Sequence, residues 1–116
     1  MDGIKVLCVE NRPEHMATLQ GMLEGIGCEV TPATSAGEAL DLFANQPVDG
    51  VLLEDNLPDA CGVTVRSQMK TIRPDIPVFL FAGVSSQTPF MVRFFDAYLR
   101  RREQIVDIRE DLDNEL

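Results

Sequence analysis

The sequence is poor in the residues that mark cofactor, metal and disulfide proteins. It has no tryptophan, one tyrosine, one histidine and three cysteines in 116 residues. The cysteines, Cys8, Cys28 and Cys61, match neither a disulfide framework nor a zinc site in number or spacing, so we expect reduced thiols that act as small apolar side chains. The histidine, His15, falls within a predicted helix, where we expect an exposed bystander. No nucleophile–base pair, glycine-rich phosphate loop or metal cluster is seen, so an enzyme is not expected.

Long apolar runs are also missing, and basic residues are few. Charges or glycines interrupt every apolar stretch, and Glu10 comes too early for a signal peptide, so we expect a cytoplasmic protein that does not contact a membrane. Nineteen acidic residues against ten basic ones give a net charge of −9. Phosphate contacts require a basic surface, so this balance argues against direct binding to nucleic acid. The sequence therefore favours a protein partner.

Strand-like and helix-like segments alternate along the chain, whose length fits one domain over residues 1–116. A helix after Asn11 or Arg12 carries an apolar stripe at helical spacing, and Ser35 opens a capping box. Short connections between strands and helices imply right-handed crossovers and a parallel sheet with helices on both faces. The predicted strands are 4–9, 28–31, 48–54, 77–81 and 97–99, and the last predicted helix buries Ile105, Ile108 and Leu112.

Acidic residues follow two of these strands. In such a sheet, ligand chemistry lies at the carboxyl ends of the strands, so the residues just after each apolar run are the candidate site. They are Glu10 and Asn11, Glu54 and Asp55, Ala82 and Gly83, and Arg100 and Arg101. The sequence therefore predicts that acids from the first and third strands converge.

Several segments, in order, resemble the receiver domains of response regulators. The first strand reads K-V-L-C-V-E-N-R-P, the second helix S-A-G-E-A-L-D-L-F, and the third strand with its loop D-G-V-L-L-E-D-N-L-P-D-A-C-G. The segments I-P-V-F-L-F-A and D-A-Y-L-R-R complete a likeness that covers essentially the whole chain. The resemblance implies a flavodoxin-like α/β fold with five parallel strands in the order 2-1-3-4-5.

The same resemblance assigns roles to positions where this sequence departs from the family pattern. Glu54 falls where the family has its phosphoacceptor aspartate, and one extra methylene displaces the attacking oxygen. Glu10 and Asn11 fall on the acid pair that, with the acceptor, binds Mg²⁺, and the neutral Asn11 implies weak or lost binding. Ala82 replaces the hydroxyl residue that ends strand four. Arg101 replaces the lysine that precedes a proline, and Tyr98 keeps the aromatic switch position.

These departures imply a pseudo-receiver, a signalling domain that acts without phosphorylation or a cofactor. Its partner, either another protein, an output domain or a second copy, would bind through helix four, strand five and helix five. The alternative is a true phosphoacceptor that a histidine kinase phosphorylates with Mg²⁺ on Asp55 or Glu54. We further expect that Arg101 holds Glu54 in place. The late Thr88-Pro89 start predicts a short or irregular fourth helix whose phenylalanines, Phe90, Phe94 and Phe95, partly cover the sheet or a partner.

Overall fold

The chain folds as a parallel sheet flanked by helices on both faces. The computed structural model describes residues 3–115, with side chains described for residues 3–102. Within that part of the chain, four parallel strands form one sheet in the order β2-β1-β3-β4. The strands are β1 (Lys5–Val9), β2 (Glu29–Ala33), β3 (Gly50–Glu54) and β4 (Val78–Phe81), and the helices are α1 (Pro13–Gly25), α2 (Ala36–Asn45), α3 (Gly62–Ile72) and α4 (Thr88–Glu115). The α/β class is as predicted.

The helix starts follow from local sequence. Arg12 is the N-cap residue of α1, and Pro13, which has no N–H to leave unpaired, occupies its first turn. At α2 the predicted capping box forms, since Ser35 Oγ accepts a hydrogen bond from Glu38 N and Glu38 Oε1 accepts one from Thr34 N. These caps fix where each helix leaves the sheet.

Each face of the sheet carries its own apolar core. On one face α1 and α4 pack on the strands through Leu19, Leu23, Phe95 and other buried residues. On the other face α2 and α3 pack through a second cluster that includes Phe43. Apolar side chains of β1 and β3 alternate between the two cores, as expected of strands buried on both sides. Within the described residues, no helix is apolar and long enough to cross a membrane.

The prediction of a fifth strand was wrong. Residues 97–99 lie in α4, a helix of 28 residues, and β4 is the last strand of the described sheet. The physical reason is packing: Val92, Phe95 and Leu99 recur at helical spacing and are all buried. A Cβ added to Gly50 of β3 would lie 2.7 Å from Leu99, so the helix sits directly against the sheet there.

The expectation for the fourth helix was partly confirmed. The helix does begin late, at Thr88, but it is long rather than short. Phe95 is fully buried against the sheet, whereas Phe90 and Phe94 are exposed. The predicted burial of residues 105, 108 and 112 concerns side chains outside the described residues.

Polar contacts fasten α4 to the end of α1. Arg100 donates from Nη2 to the carbonyl of Ile26 at 3.0 Å and from Nε to Asp96 at 2.9 Å. Asp96 in turn accepts from the thiol of Cys28. Burial raises the pKa of Cys28 to about 12, and it does the same for Cys8, so both are inert small side chains as expected. Cys61, by contrast, is exposed at the N-terminus of α3.

The helical placement of residues 97–99 predicts unequal costs for two neighbouring substitutions. Leu99→Ala removes a buried side chain and should lower the free energy of unfolding by about 2–5 kcal/mol. Tyr98→Ala, its matched control in the same helix, removes a side chain that is 44% exposed and should cost much less. Urea denaturation measures both. A larger loss for the Tyr98 variant would contradict this packing.

Candidate functional site

A pocket opens at the carboxyl ends of β1, β3 and β4, where the sequence predicted it. Its volume is about 310 Å³. The acids predicted to converge, Glu10 and Glu54, both line it. The complete lining comprises Glu10, Asn11, Arg12, His15, Glu54, Asn56, Ala82 and Gly83.

The Glu54 carboxylate is held by backbone N–H groups from two different loops. Oε1 accepts a hydrogen bond from Asn56 N at 3.1 Å, and Oε2 accepts one from Gly83 N at 2.9 Å. The side chain is only 5% exposed. Gly83 reaches this position with φ of +69°, a left-handed conformation that favours glycine. Each carboxylate oxygen therefore already has a donor.

Close packing sets the loop that follows β3. Gly62 N donates to the carbonyl of Asp55 at 2.7 Å, which closes the loop back onto the strand. A Cβ on Gly62 would lie 2.8 Å from Cα of Asp55, so a side chain there would push the two apart. Asp59, within the loop, accepts from the N–H groups of Ala36 and Gly37 and so joins the loop to the start of α2. The position of Asn56 N thus depends on the whole loop.

Glu10 is the second acid and is 1% exposed. Its Oε1 accepts from Arg12 N at 2.9 Å and lies 3.9 Å from Nδ1 of His15. Its Oε2 is buried and has no hydrogen-bond partner. Burial raises the pKa of the Glu10 carboxyl, and the neighbouring Glu54 carboxylate raises it further. A proton on Glu10 relieves both the desolvation and the repulsion.

Glu10, Asn11 and Glu54 are the residues that would hold a magnesium ion in this pocket. The unpartnered Oε2 of Glu10 is one atom that a cation would satisfy, and Glu54 lies beside it. Both oxygens of Glu54 already accept backbone N–H groups, however, and Asn11 offers only a neutral amide. Among the described residues, no three His, Cys, Asp or Glu side chains are grouped to hold a metal ion. Mg²⁺ prefers near-octahedral oxygen coordination that includes carboxylates, of which this set supplies two beside a neutral amide.

The remaining predicted site residues divide into two groups. Asn11 and Ala82 line the pocket, whereas Asp55, Tyr98 and Arg101 do not. Tyr98 packs instead against Phe79, with ring centroids 5.4 Å apart. The expectation that Arg101 holds Glu54 was wrong, because α4 carries Arg101 to an exposed position and backbone N–H groups hold the carboxylate.

Sequence reasoning missed Arg12, Asn56 and His15, and it placed Gly83 at the site without predicting what Gly83 does there. Asn56 and Gly83 contribute through backbone N–H groups, which any residue but proline carries, so only the glycine hinted at a special conformation. His15 was taken for a bystander, yet it lines the pocket beside Glu10. Its position two residues after Pro13, in the first turn of α1, was the available signal.

Comparison with known families and structures decides the family. The family model described as response regulator receiver domain matches residues 6–101. The chain belongs to the response-regulator receiver domain family. It is thus a receiver domain of two-component signalling, with the flavodoxin-like parallel sheet of that family reduced to four strands over the described residues.

Individual relatives are similar to this receiver over most of its length. The transcriptional regulatory protein ZraR of Escherichia coli K12 is 32% identical over 85 residues, which are 73% of this chain but only 19% of ZraR. A CheY-like receiver domain from Methanospirillum hungatei has the same fold, with TM-score 0.68 over 97% of this chain and 96% of that one, at 22% identity. A chain from the crystal structure of histidine kinase ThkA with response regulator TrrA gives TM-score 0.66 over 71% of each chain, at 26% identity.

The receiver lacks the segment that would contain a fourth helix and a fifth strand. Only residues 82–87 join β4 to α4, which is too short for either element plus its connections. In the family, the lysine after strand five is followed by a proline. In this chain the proline at the start of the last helix is Pro89, and the residue before it is Thr88. Thr88, and not Arg101, therefore stands at the lysine position. Thr88 is buried, and its Oγ1 accepts from Ser85 N at 2.8 Å. Neither position supplies a lysine to the pocket.

The buried Glu10 carboxyl predicts an unusual pH dependence. Its pKa is raised in the folded state, so the native protein holds this proton more tightly than the unfolded chain does. The Glu10 contribution to stability is therefore greatest at low pH and declines as pH rises from the ordinary value, about 4.3, through the raised one. Glu10→Gln, which keeps the acceptor for Arg12 N, should raise the melting temperature at pH 8 and have little effect at pH 4.5. Thermal unfolding across that range tests it, and a variant less stable at pH 8 would contradict it.

Proposed function

We propose that this receiver acts as a protein-interaction module without accepting a phosphoryl group. The observation that carries the proposal is the Glu54 carboxylate, buried and bound by two backbone N–H groups. Glu54 stands at the family's acceptor position and lines the pocket. We infer that it keeps the position of the acceptor aspartate without its reactivity towards a phosphoryl group.

The geometry opposes phosphoryl transfer for a specific reason. In-line transfer depends on positioning and on donors or cations that neutralise the oxygens of the transferred group. Here the N–H groups of Asn56 and Gly83 already bind the acceptor carboxylate. Ala82 has no hydroxyl to offer, and Arg101 lies outside the pocket. An incoming phosphoryl group would therefore find few donors.

The metal requirement points the same way. Phosphoryl transfer in this family uses Mg²⁺, and we infer that this receiver binds it weakly or not at all. Glu10 has a raised pKa, so it gives up its proton less readily than an ordinary glutamate and competes poorly for a cation. Asn11 contributes no charge. The raised pKa of Glu10 and the neutral amide of Asn11 are the two observations behind this inference.

The interaction role rests on what receivers do and on the surface of this one. A similar receiver fold is present in the crystal structure of ThkA in complex with TrrA, so proteins of this fold bind protein partners. In this chain, large apolar side chains are exposed on α4, which replaces the predicted helix-four to helix-five surface. Exposed aromatic groups of this kind mark protein contacts more often than catalytic sites.

Phosphate incorporation is the direct test. The protein is incubated with acetyl phosphate and Mg²⁺, and separately with beryllofluoride, beside a working receiver that shows the reagents are active. We expect no adduct by intact mass and no change in amide resonances around the pocket. An Asp55→Asn variant serves as the matched control that locates any label. A stable adduct on Glu54 or Asp55 would overturn the proposal in favour of a true phosphoacceptor.

A further inference from the structure

Over residues 88–102, whose side chains the structure describes, helix α4 has two apolar faces, of which the domain buries one. Val92, Phe95 and Leu99 face the sheet and are buried. On another face Phe94 is 66% exposed and Tyr98 is 44% exposed. A helix packed only on its own domain needs one apolar stripe. The second stripe therefore requires a separate explanation.

After residue 102, the apolar positions of the sequence continue the exposed stripe of α4 and not the buried one. Steps of four and three residues from Phe94 lead to isoleucine at 105 and 108 and leucine at 112, with one arginine between. Steps of three and four residues from Leu99, which continue the spacing of the buried stripe, lead to arginine at 102, valine at 106, arginine at 109 and aspartate at 113. The backbone is helical through these positions. The seam is a seven-residue repeat, typical of helix pairing, at Phe94, Tyr98, Arg101, Ile105, Ile108 and Leu112.

The two halves of α4 carry opposite charge. Residues 88–102 contain four arginines and one aspartate, and residues 103–115 contain six acids and one arginine. A parallel pair of such helices would place basic half beside basic half and acidic half beside acidic half. An antiparallel pair would place each basic half beside an acidic one, and like charges at close range are the costlier arrangement.

We propose that two copies of this chain pair through antiparallel α4 helices. With the two-fold axis near residue 103, the seam residues meet in alternating layers: Phe94 opposite Leu112, Tyr98 opposite Ile108 and Arg101 opposite Ile105. A parallel pair in register would instead place Arg101 opposite its own copy. This proposal deepens the interaction role proposed above, on which it rests, by naming a second copy as the partner.

The described half of the seam is already ordered for such a contact. Phe79 of β4 packs against Phe94, with ring centroids 6.2 Å apart, and against Tyr98. This support fixes the exposed rings in place, so pairing costs little side-chain entropy. The antiparallel arrangement brings the second half of the partner's helix beside β4, which the predicted fifth strand would have covered.

The oligomeric state of the whole chain tests the pairing. Sedimentation equilibrium at micromolar concentration should show a dimer, and Phe94→Asp should shift it to monomer, a loss of at least tenfold in affinity. Val63→Asp, the matched control, replaces an exposed apolar residue on α3 and should leave the dimer intact. Circular dichroism confirms that both variants fold. A monomeric wild type, or a dimer unaffected by Phe94→Asp, overturns the proposal.

Spin-label distances test the orientation. A label on Arg93→Cys in a Cys61→Ser background avoids the other cysteines, which are buried. Antiparallel pairing about residue 103 separates the two labels by roughly 30 Å along the helices, at about 1.5 Å per residue. A short distance close to the interhelical spacing would mean parallel pairing and would overturn the orientation. Phosphate labelling of the same samples distinguishes failure of the pairing from failure of the proposed function. A monomer that takes no phosphate contradicts only the proposed dimer. A dimer that takes phosphate contradicts only the phosphorylation-independent role.

Discussion

The pocket depends on one buried carboxylate and the two backbone N–H groups that hold it. Glu54 ends β3, Asn56 begins the loop after it, and Gly83 follows β4, so one side chain joins two loops at the end of the sheet. A buried charge is tolerable when such donors satisfy it, and removing either donor leaves the charge uncompensated. In the function proposed above, Glu54 is a structural residue of the pocket and not an acceptor.

The neighbouring acid follows from the same constraint. Burial raises the pKa of Glu10, and the Glu54 carboxylate beside it raises that pKa further. The two acids of the pocket therefore differ in their surroundings. Glu54 is bound by backbone N–H groups, whereas the raised pKa of Glu10 favours its protonated form. At the other end of the fold, loss of the segment between β4 and α4 removes the predicted output surface and leaves aromatic side chains exposed on α4. The departures from the family pattern thus fall in two separate parts of the chain, the acidic pocket and α4.

Sequence patterns predicted most of the fold and the identity of the two acids, for physical reasons that also explain the failures. Strands buried on both faces and capped amphipathic helices leave strong local signals. Residues 97–99 form a short apolar segment that suits a strand or a helix equally. The burial of Phe95 one turn before Leu99, and of Val92 two turns before it, decides for the helix. At the site, the match to the family pattern predicted Glu54 at the end of the third strand, where it lines the pocket. The donors that hold it are backbone atoms, and only the left-handed glycine at Gly83 gave any sign of them.

The hydrogen bonds to Glu54 are open to direct measurement. Glu54→Gln keeps the size of the side chain but leaves one acceptor oxygen, so an amide group must face either Asn56 N or Gly83 N. We expect both backbone amide resonances to shift in a proton–nitrogen NMR spectrum and one of them to lose its protection from hydrogen exchange. The free energy of unfolding should fall by about 1–3 kcal/mol. Unchanged amide resonances at Asn56 and Gly83, with unchanged stability, would contradict it.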